Sequence, residues 1–148
     1  MSESPPRRRG LRSVGAVLAG VLATVVASLA TDAALRVTGV YPSGVEPMAG
    51  ALFLLATAYR TVYGVAGAYI AARLTPDRPM QHALTLGALG LVVSIAGAVA
   101  TWSRGPEFGP KWYPLALVVL AIPTAWAGGR LHAARRDSTS EPASAGMY

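Results

Sequence analysis

Cysteine is missing from the chain, which excludes a disulfide framework, a thiolate nucleophile and any sulfur-ligated metal or cluster. Charge is scarce: Asp, Glu, Lys and Arg make up 14% of the residues, against roughly 25% in an ordinary soluble domain. Enzyme signatures are also missing, with no H-E-x-x-H, P-loop, G-x-S-x-G or paired acidic cluster. The sequence therefore predicts no catalytic residue, no cofactor and no metal site. His82 and His132 each stand alone at the end of an apolar run, where a single histidine reads as a boundary residue rather than a ligand.

What is present is apolar. Hydrophobic residues make up 53% of the 148, enough chain for one domain. A bilayer core about 30 Å thick needs about 20 apolar residues at 1.5 Å each. Four such stretches occur, at 14–35, 48–72, 83–102 and 113–131. A soluble four-helix bundle would need a polar outer face on every helix, and the segment 84–100 has none. The expected fold class is all-α, an integral membrane four-helix bundle over residues 13–136. A basic tail over 1–12 and a Ser/Thr/Ala/Pro-rich tail over 137–148 are expected to be disordered and cytoplasmic.

A net charge of +6 could suggest nucleic acid, but the arginines flank apolar segments and form no aromatic-interleaved groove pattern. Their placement points instead to membrane lipids, including anionic headgroups. One side of the four spans receives Arg7, Arg8, Arg9, Arg12, Arg73, Arg78, Arg130, Arg135 and Arg136, and the other only Arg36, Arg104 and Lys111. The positive-inside rule places the first side in the cytoplasm. Trp102, Trp112 and Tyr113 gather at the outer ends of spans three and four, where amphipathic rings favour the headgroup region.

The first span also imitates a cleaved signal peptide, with Arg7–Arg9, an apolar run and Ser28-Leu29-Ala30. Its apolar run from Val14 exceeds the usual length of about 7–15 residues and continues past the cleavage position, which favours a retained helix.

Small residues recur at helical spacing, the pattern by which helices approach closely in lipid. The first span carries Ala16, Gly20, Thr24, Ser28 and Asp32, and the second Ala56, Arg60, Gly64, Ala68 and Ala72. The third carries Gly87, Gly90, Ser94, Gly97 and Thr101, a pattern suited to a bundle seam. In the fourth, Pro123 removes a backbone hydrogen bond and should kink the helix, and Gly128-Gly129 reads as its frayed end.

Asp32 and Arg60 need explaining, because a charged side chain inside the membrane costs several kcal/mol unless paired or hydrated. Arg60 sits twelve residues from each end of its span, close to the midplane, and Asp32 lies nearer the outer surface of an antiparallel neighbour. Two readings stand side by side: a structural charge pair locking two helices, or a polar site built with Ser28, Thr31, Thr57 and Tyr63. Tyr59 and Tyr63, four apart, offer rings and hydroxyls to the same region. The outer connection 102–114 holds Arg104, Glu107, Lys111 and Trp112 among three prolines and two glycines, suited to a rigid loop or to contact with a lipid headgroup or partner.

The outer connection followed by Leu115-Ala116-Leu117-Val118-Val119, together with the run from Ala51 to Arg60, resembles a group of small bacterial membrane proteins that carry no assigned function. The resemblance implies a four-span layout in a bacterial inner membrane and places Arg60 in a recurring segment; it implies no activity. Size and span number are also similar to the small multidrug resistance transporters, which carry a membrane-embedded Glu in the middle of the first helix. Here Thr24 and apolar neighbours occupy that region, and the only acid is the late Asp32. The resulting expectation is a non-enzymatic accessory or self-associating bundle, as a homo-oligomer or with a membrane-protein partner. The alternative is a small oligomeric transporter or channel with its path near Asp32 and Arg60.

Overall fold

The computed structural model describes residues 6–42, 46–75, 77–105 and 108–140, with only the backbone for 6–9 and 140. Four helices account for most of it: α1 (Pro6–Val37), α2 (Gly50–Leu74), α3 (Pro79–Thr101) and α4 (Trp112–Ser140). Each covers one of the four apolar stretches, and each is long and apolar enough to cross a membrane. The shortest, α3, has 23 residues and so runs roughly 35 Å.

Two helices reach further than their apolar runs. Helix α1 includes 6–12 and α4 includes 137–140, segments expected to lie in the tails; residues 1–5 and 141–148 lie outside the described residues. Pro6 suits the first position of a helix, where its missing N–H is no loss. At the far end of α4 the hydroxyls of Ser138 and Thr139 donate to Arg135 O at 3.0 and 2.8 Å, so these weak helix formers bond to their own last turn.

The connections explain how the helices turn. Gly39 leaves α1 at φ +74°, and the chain folds back so that Tyr41 N–H bonds Leu35 O at 2.9 Å. Between α2 and α3 only residues 75–78 are available. Arg78 adopts φ 51° to complete that turn, a left-handed conformation costing an L-residue roughly 1–2 kcal/mol, and Pro79 then opens α3.

Helix α2 is the hub, packing on α1, α3 and α4; α4 packs also on α3, and α1 touches α3 over part of its length. The contacts are made by small residues. A Cβ on Gly67 would lie 2.7 Å from Gly20 O, so α1 and α2 meet backbone to backbone. Gly128 has no room either, with Ala68 Cβ at 2.7 Å and Tyr69 N at 2.8 Å, and Gly129 packs on Met80 and Ala83 of α3. The Gly128-Gly129 pair is therefore a packing surface against α2 and α3 within a continuous helix, not a frayed end. The helix also runs unbroken through Pro123.

The core formed by these approaches is Val17, Ala68, Ala71, Ala72, Ala83, Leu86 and Ala125. Alanine dominates the interior, whereas Leu22, Val26, Leu29, Leu54, Val62, Val92, Val93, Val99 and Val119 are exposed. In water so much exposed apolar surface would drive aggregation; against acyl chains it costs nothing.

The α3 seam closes only at one end. Gly87 packs on α4 beside Ala125, but a Cβ on Gly90 or Gly97 would meet nothing within 4 Å. Helices α1 and α3 touch at Gly20 and Leu86 and then separate, leaving a crevice of about 440 Å³ walled by all four helices.

Candidate functional site

The α1–α2 interface is apolar where it is tightest and polar beyond. One turn past Gly20, Thr24 donates its hydroxyl to Gly20 O at 3.0 Å and to Tyr63 O at 3.1 Å, crossing between the helices. Two turns further on, Thr31 Oγ1 meets Tyr63 Oη at 2.8 Å. Next along α1 comes Asp32, whose Oδ2 accepts from Arg60 Nη2 at 2.7 Å. The four-residue rhythm that gave Gly20 its close approach thus brings an acid to the same neighbour that carries the arginine.

The ion pair is the centre of a larger cluster. Tyr59 donates its hydroxyl to Asp32 Oδ1, and Arg60 Nη1 donates to Tyr113 Oη, at the start of α4. Tyr41, buried in the α1–α2 connection, brings its Oη within 3.3 Å of Tyr59 Oη. The Arg60 guanidinium carbon lies 5.8 Å from the ring centroids of both Tyr59 and Tyr113, and Tyr113 packs on Phe53 at 5.0 Å. Asp32 thus receives two donors, one of them cationic, and Arg60 a carboxylate, a phenol oxygen and two aromatic rings. Charge-assisted bonds of this kind are about twice as strong as neutral ones. The side chains of Arg60 and Asp32 keep 31% and 21% of their surface exposed, and both line the crevice.

Of the residues expected beside the pair, Thr31 and Tyr63 bond to each other, and the Tyr63 ring adjoins the cluster 5.8 Å from that of Tyr59. Ser28 lines the crevice, together with Ser94 from α3. Thr57 does not take part, since its hydroxyl donates to Phe53 O one turn back at 2.8 Å. By sequence Tyr113 reads as an interfacial aromatic, and Tyr41 carries no signal of a role. Nothing in their spacing along the chain shows that the fold would bring their hydroxyls to α2.

The α3–α4 connection borders this cluster through the Phe53 ring and adds no polar group to it among the described residues. Arg104 lies over Phe108 at 5.2 Å and Lys111 over Trp102 at 5.2 Å, so each cation covers a ring of its own loop. Trp112 meets Tyr113 edge-on at 6.2 Å. Gly109 takes φ +91° with the Phe53 ring against it, leaving no space for a side chain. Glu107 lies outside the described residues. Among the described residues no three His, Cys, Asp or Glu side chains are grouped to hold a metal ion.

No protein-family model, no curated protein and no solved structure matches the chain. The arrangement itself can hold a neutralised charge pair inside an apolar bundle, tie three helices together through it, and present part of it to an open crevice.

Proposed function

We propose that the chain is a multi-pass protein of the cell membrane, with the start of α1 and the end of α4 on the cytoplasmic side, acting as a non-enzymatic accessory or self-associating helical bundle. Membrane insertion is supported by the inverted packing, alanine inside and large aliphatic side chains outside. The orientation rests on the excess of arginine at the end that holds the α2–α3 turn. Association is carried by one observation: the α3 edge at Gly97 is exposed, with nothing within 4 Å of a Cβ there, while the glycines that join α1 to α2 and α4 to its neighbours are in close contact. In lipid, helices associate through such edges.

The test exploits the missing cysteines. Gly97→Cys should give disulfide-linked homodimers in bilayers, or adducts with another membrane polypeptide in native membranes. Val99→Cys, on the opposite face of α3, should give neither. Monomer only from Gly97→Cys in both settings contradicts association.

A second reading, a small oligomeric transporter or channel, is favoured by the crevice reaching Asp32 and Arg60. Solute flux in liposomes containing this protein alone supports it, provided Arg60→Gln abolishes the flux.

A further inference from the structure

At the end of the bundle away from the ion pair, α2 and α4 frame a surface pocket of about 400 Å³ lined by Tyr69, Arg73, His132, Arg135, Arg136 and Thr139. Local spacing gathers these residues. Tyr69 and Arg73 are one turn apart on α2, and the four on α4 fall three or four apart, so each set shares a face. Gly128 brings the two faces together, because a Cβ there would lie 2.8 Å from Tyr69 N. One turn on, the buried His132 ring meets Tyr69 edge-on at 5.7 Å, and the Arg135 guanidinium carbon lies 5.8 Å from the Tyr69 ring centroid. Three exposed arginines surround this aromatic floor.

One arginine near the end of α2 is accounted for by the helix dipole. Arg73 and Arg135 face one concavity from two helices, and the guanidinium fork matches the oxygens of a phosphate. We propose that this pocket binds the phosphate of an anionic lipid headgroup in the leaflet on the side of the α2–α3 turn.

The proposal rests on the membrane-spanning reading. Arg73 is thirteen residues beyond Arg60 on α2, roughly 20 Å at 1.5 Å per residue, which carries it from mid-bilayer to headgroup depth. Leu74 and Leu131, exposed at the same level of α2 and α4, offer apolar surface to the acyl chains. Nearby, Arg130 stacks on exposed Trp126 at 5.1 Å, an aromatic and basic pairing suited to the interface. Basic pockets between helices on the cytoplasmic side are a recurrent form of anionic-lipid recognition.

The test is native mass spectrometry of the full chain in detergent, titrated separately with phosphatidylglycerol, phosphatidylcholine and inorganic phosphate. Phosphatidylglycerol should bind more tightly than phosphatidylcholine. Arg73→Gln and Arg135→Gln should each weaken it by about five-fold, equivalent to about 1 kcal/mol per arginine, with phosphatidylcholine unaffected. Both arginines are exposed, so helical circular dichroism should be retained. Arg104→Gln, the same charge change at the other end, should leave binding intact. Equal affinity for the two lipids, or equal weakening by Arg104→Gln, overturns the pocket. Displacement of phosphatidylglycerol by millimolar inorganic phosphate assigns the site to the free ion and overturns the lipid source. Flotation with phosphatidylcholine vesicles separates the two layers of the argument. A chain that does not float removes the membrane reading itself, whereas one that floats without phosphatidylglycerol preference removes only the pocket.

Discussion

Replacing Arg60 by Gln would strand the Asp32 carboxylate with the Tyr59 hydroxyl as its one remaining donor. Breaking a fully buried ion pair by removing one partner costs about 3–5 kcal/mol. Here the two side chains keep 31% and 21% of their surface exposed, so part of that penalty is relieved by whatever occupies the crevice. A loss of roughly 2–4 kcal/mol is expected for Arg60→Gln and somewhat less for Asp32→Asn, which leaves Arg60 its bond to Tyr113. The double variant removes both charges together. Its cost should fall short of the summed single costs by about 1–3 kcal/mol, above the average of roughly 0.6 kcal/mol for neutral hydrogen bonds between membrane helices. The assay is reversible unfolding in mixed micelles followed by helical circular dichroism, with the four proteins compared as a double-mutant cycle. Strict additivity, within about 0.5 kcal/mol, would refute the coupling and with it the view that this pair locks α1 to α2.

Further expectations come from the glycine contacts and the tyrosine cluster. Gly67→Ala should cost about 1–3 kcal/mol, because its Cβ meets Gly20 O at 2.7 Å, while Gly97→Ala should be neutral or slightly stabilising; equal effects in the same unfolding assay would contradict the packing described. Tyr113→Phe keeps the ring contact with Phe53 but removes the oxygen that accepts from Arg60, so a loss of about 1.5–3 kcal/mol is expected, and an unchanged midpoint would show that α4 is not tied to the pair. Gly109→Ala should destabilise the α3–α4 connection through both its φ of +91° and the Phe53 ring, measurable as faster proteolysis between α3 and α4.

Much of the fold could be read from the order of residues because a span announces itself by length and apolarity alone, and the four helices fall on the four apolar stretches. The four-residue steps from Gly20 to Asp32 identify the α1 face that meets α2, at Gly67 and at Arg60. The steps on α2 serve two neighbours: Arg60 meets α1 but Gly64 and Ala68 meet Thr124 and Gly128 of α4, and the close approach to Gly20 is made by Gly67, outside that stripe. Periodicity does not say how far a contact continues. The α3 stripe looks as regular as the others, yet it packs at Gly87 and opens at Gly90, because α1 leaves α3 beyond Leu86. Gly128-Gly129 resembles a helix end by composition, and only the neighbouring α2 surface shows why no larger residue fits at Gly128. Tyr113, at the start of α4, meets Arg60, and Tyr41, in the α1–α2 connection, meets Tyr59; both are placed by tertiary contacts, so their hydroxyls carry no local signal.

The proposed function and the lipid pocket both require that the chain cross a bilayer four times with the α2–α3 turn in the cytoplasm. Single cysteines in this cysteine-free protein test that directly: Thr38→Cys and Ser103→Cys, both exposed in the α1–α2 and α3–α4 connections, and Asp77→Cys, exposed in the α2–α3 turn. Treated in intact cells with an impermeant thiol reagent, the first two should label at once and Asp77→Cys only after permeabilisation. The reverse pattern contradicts the orientation, and labelling of all three from outside contradicts the four-span bundle itself.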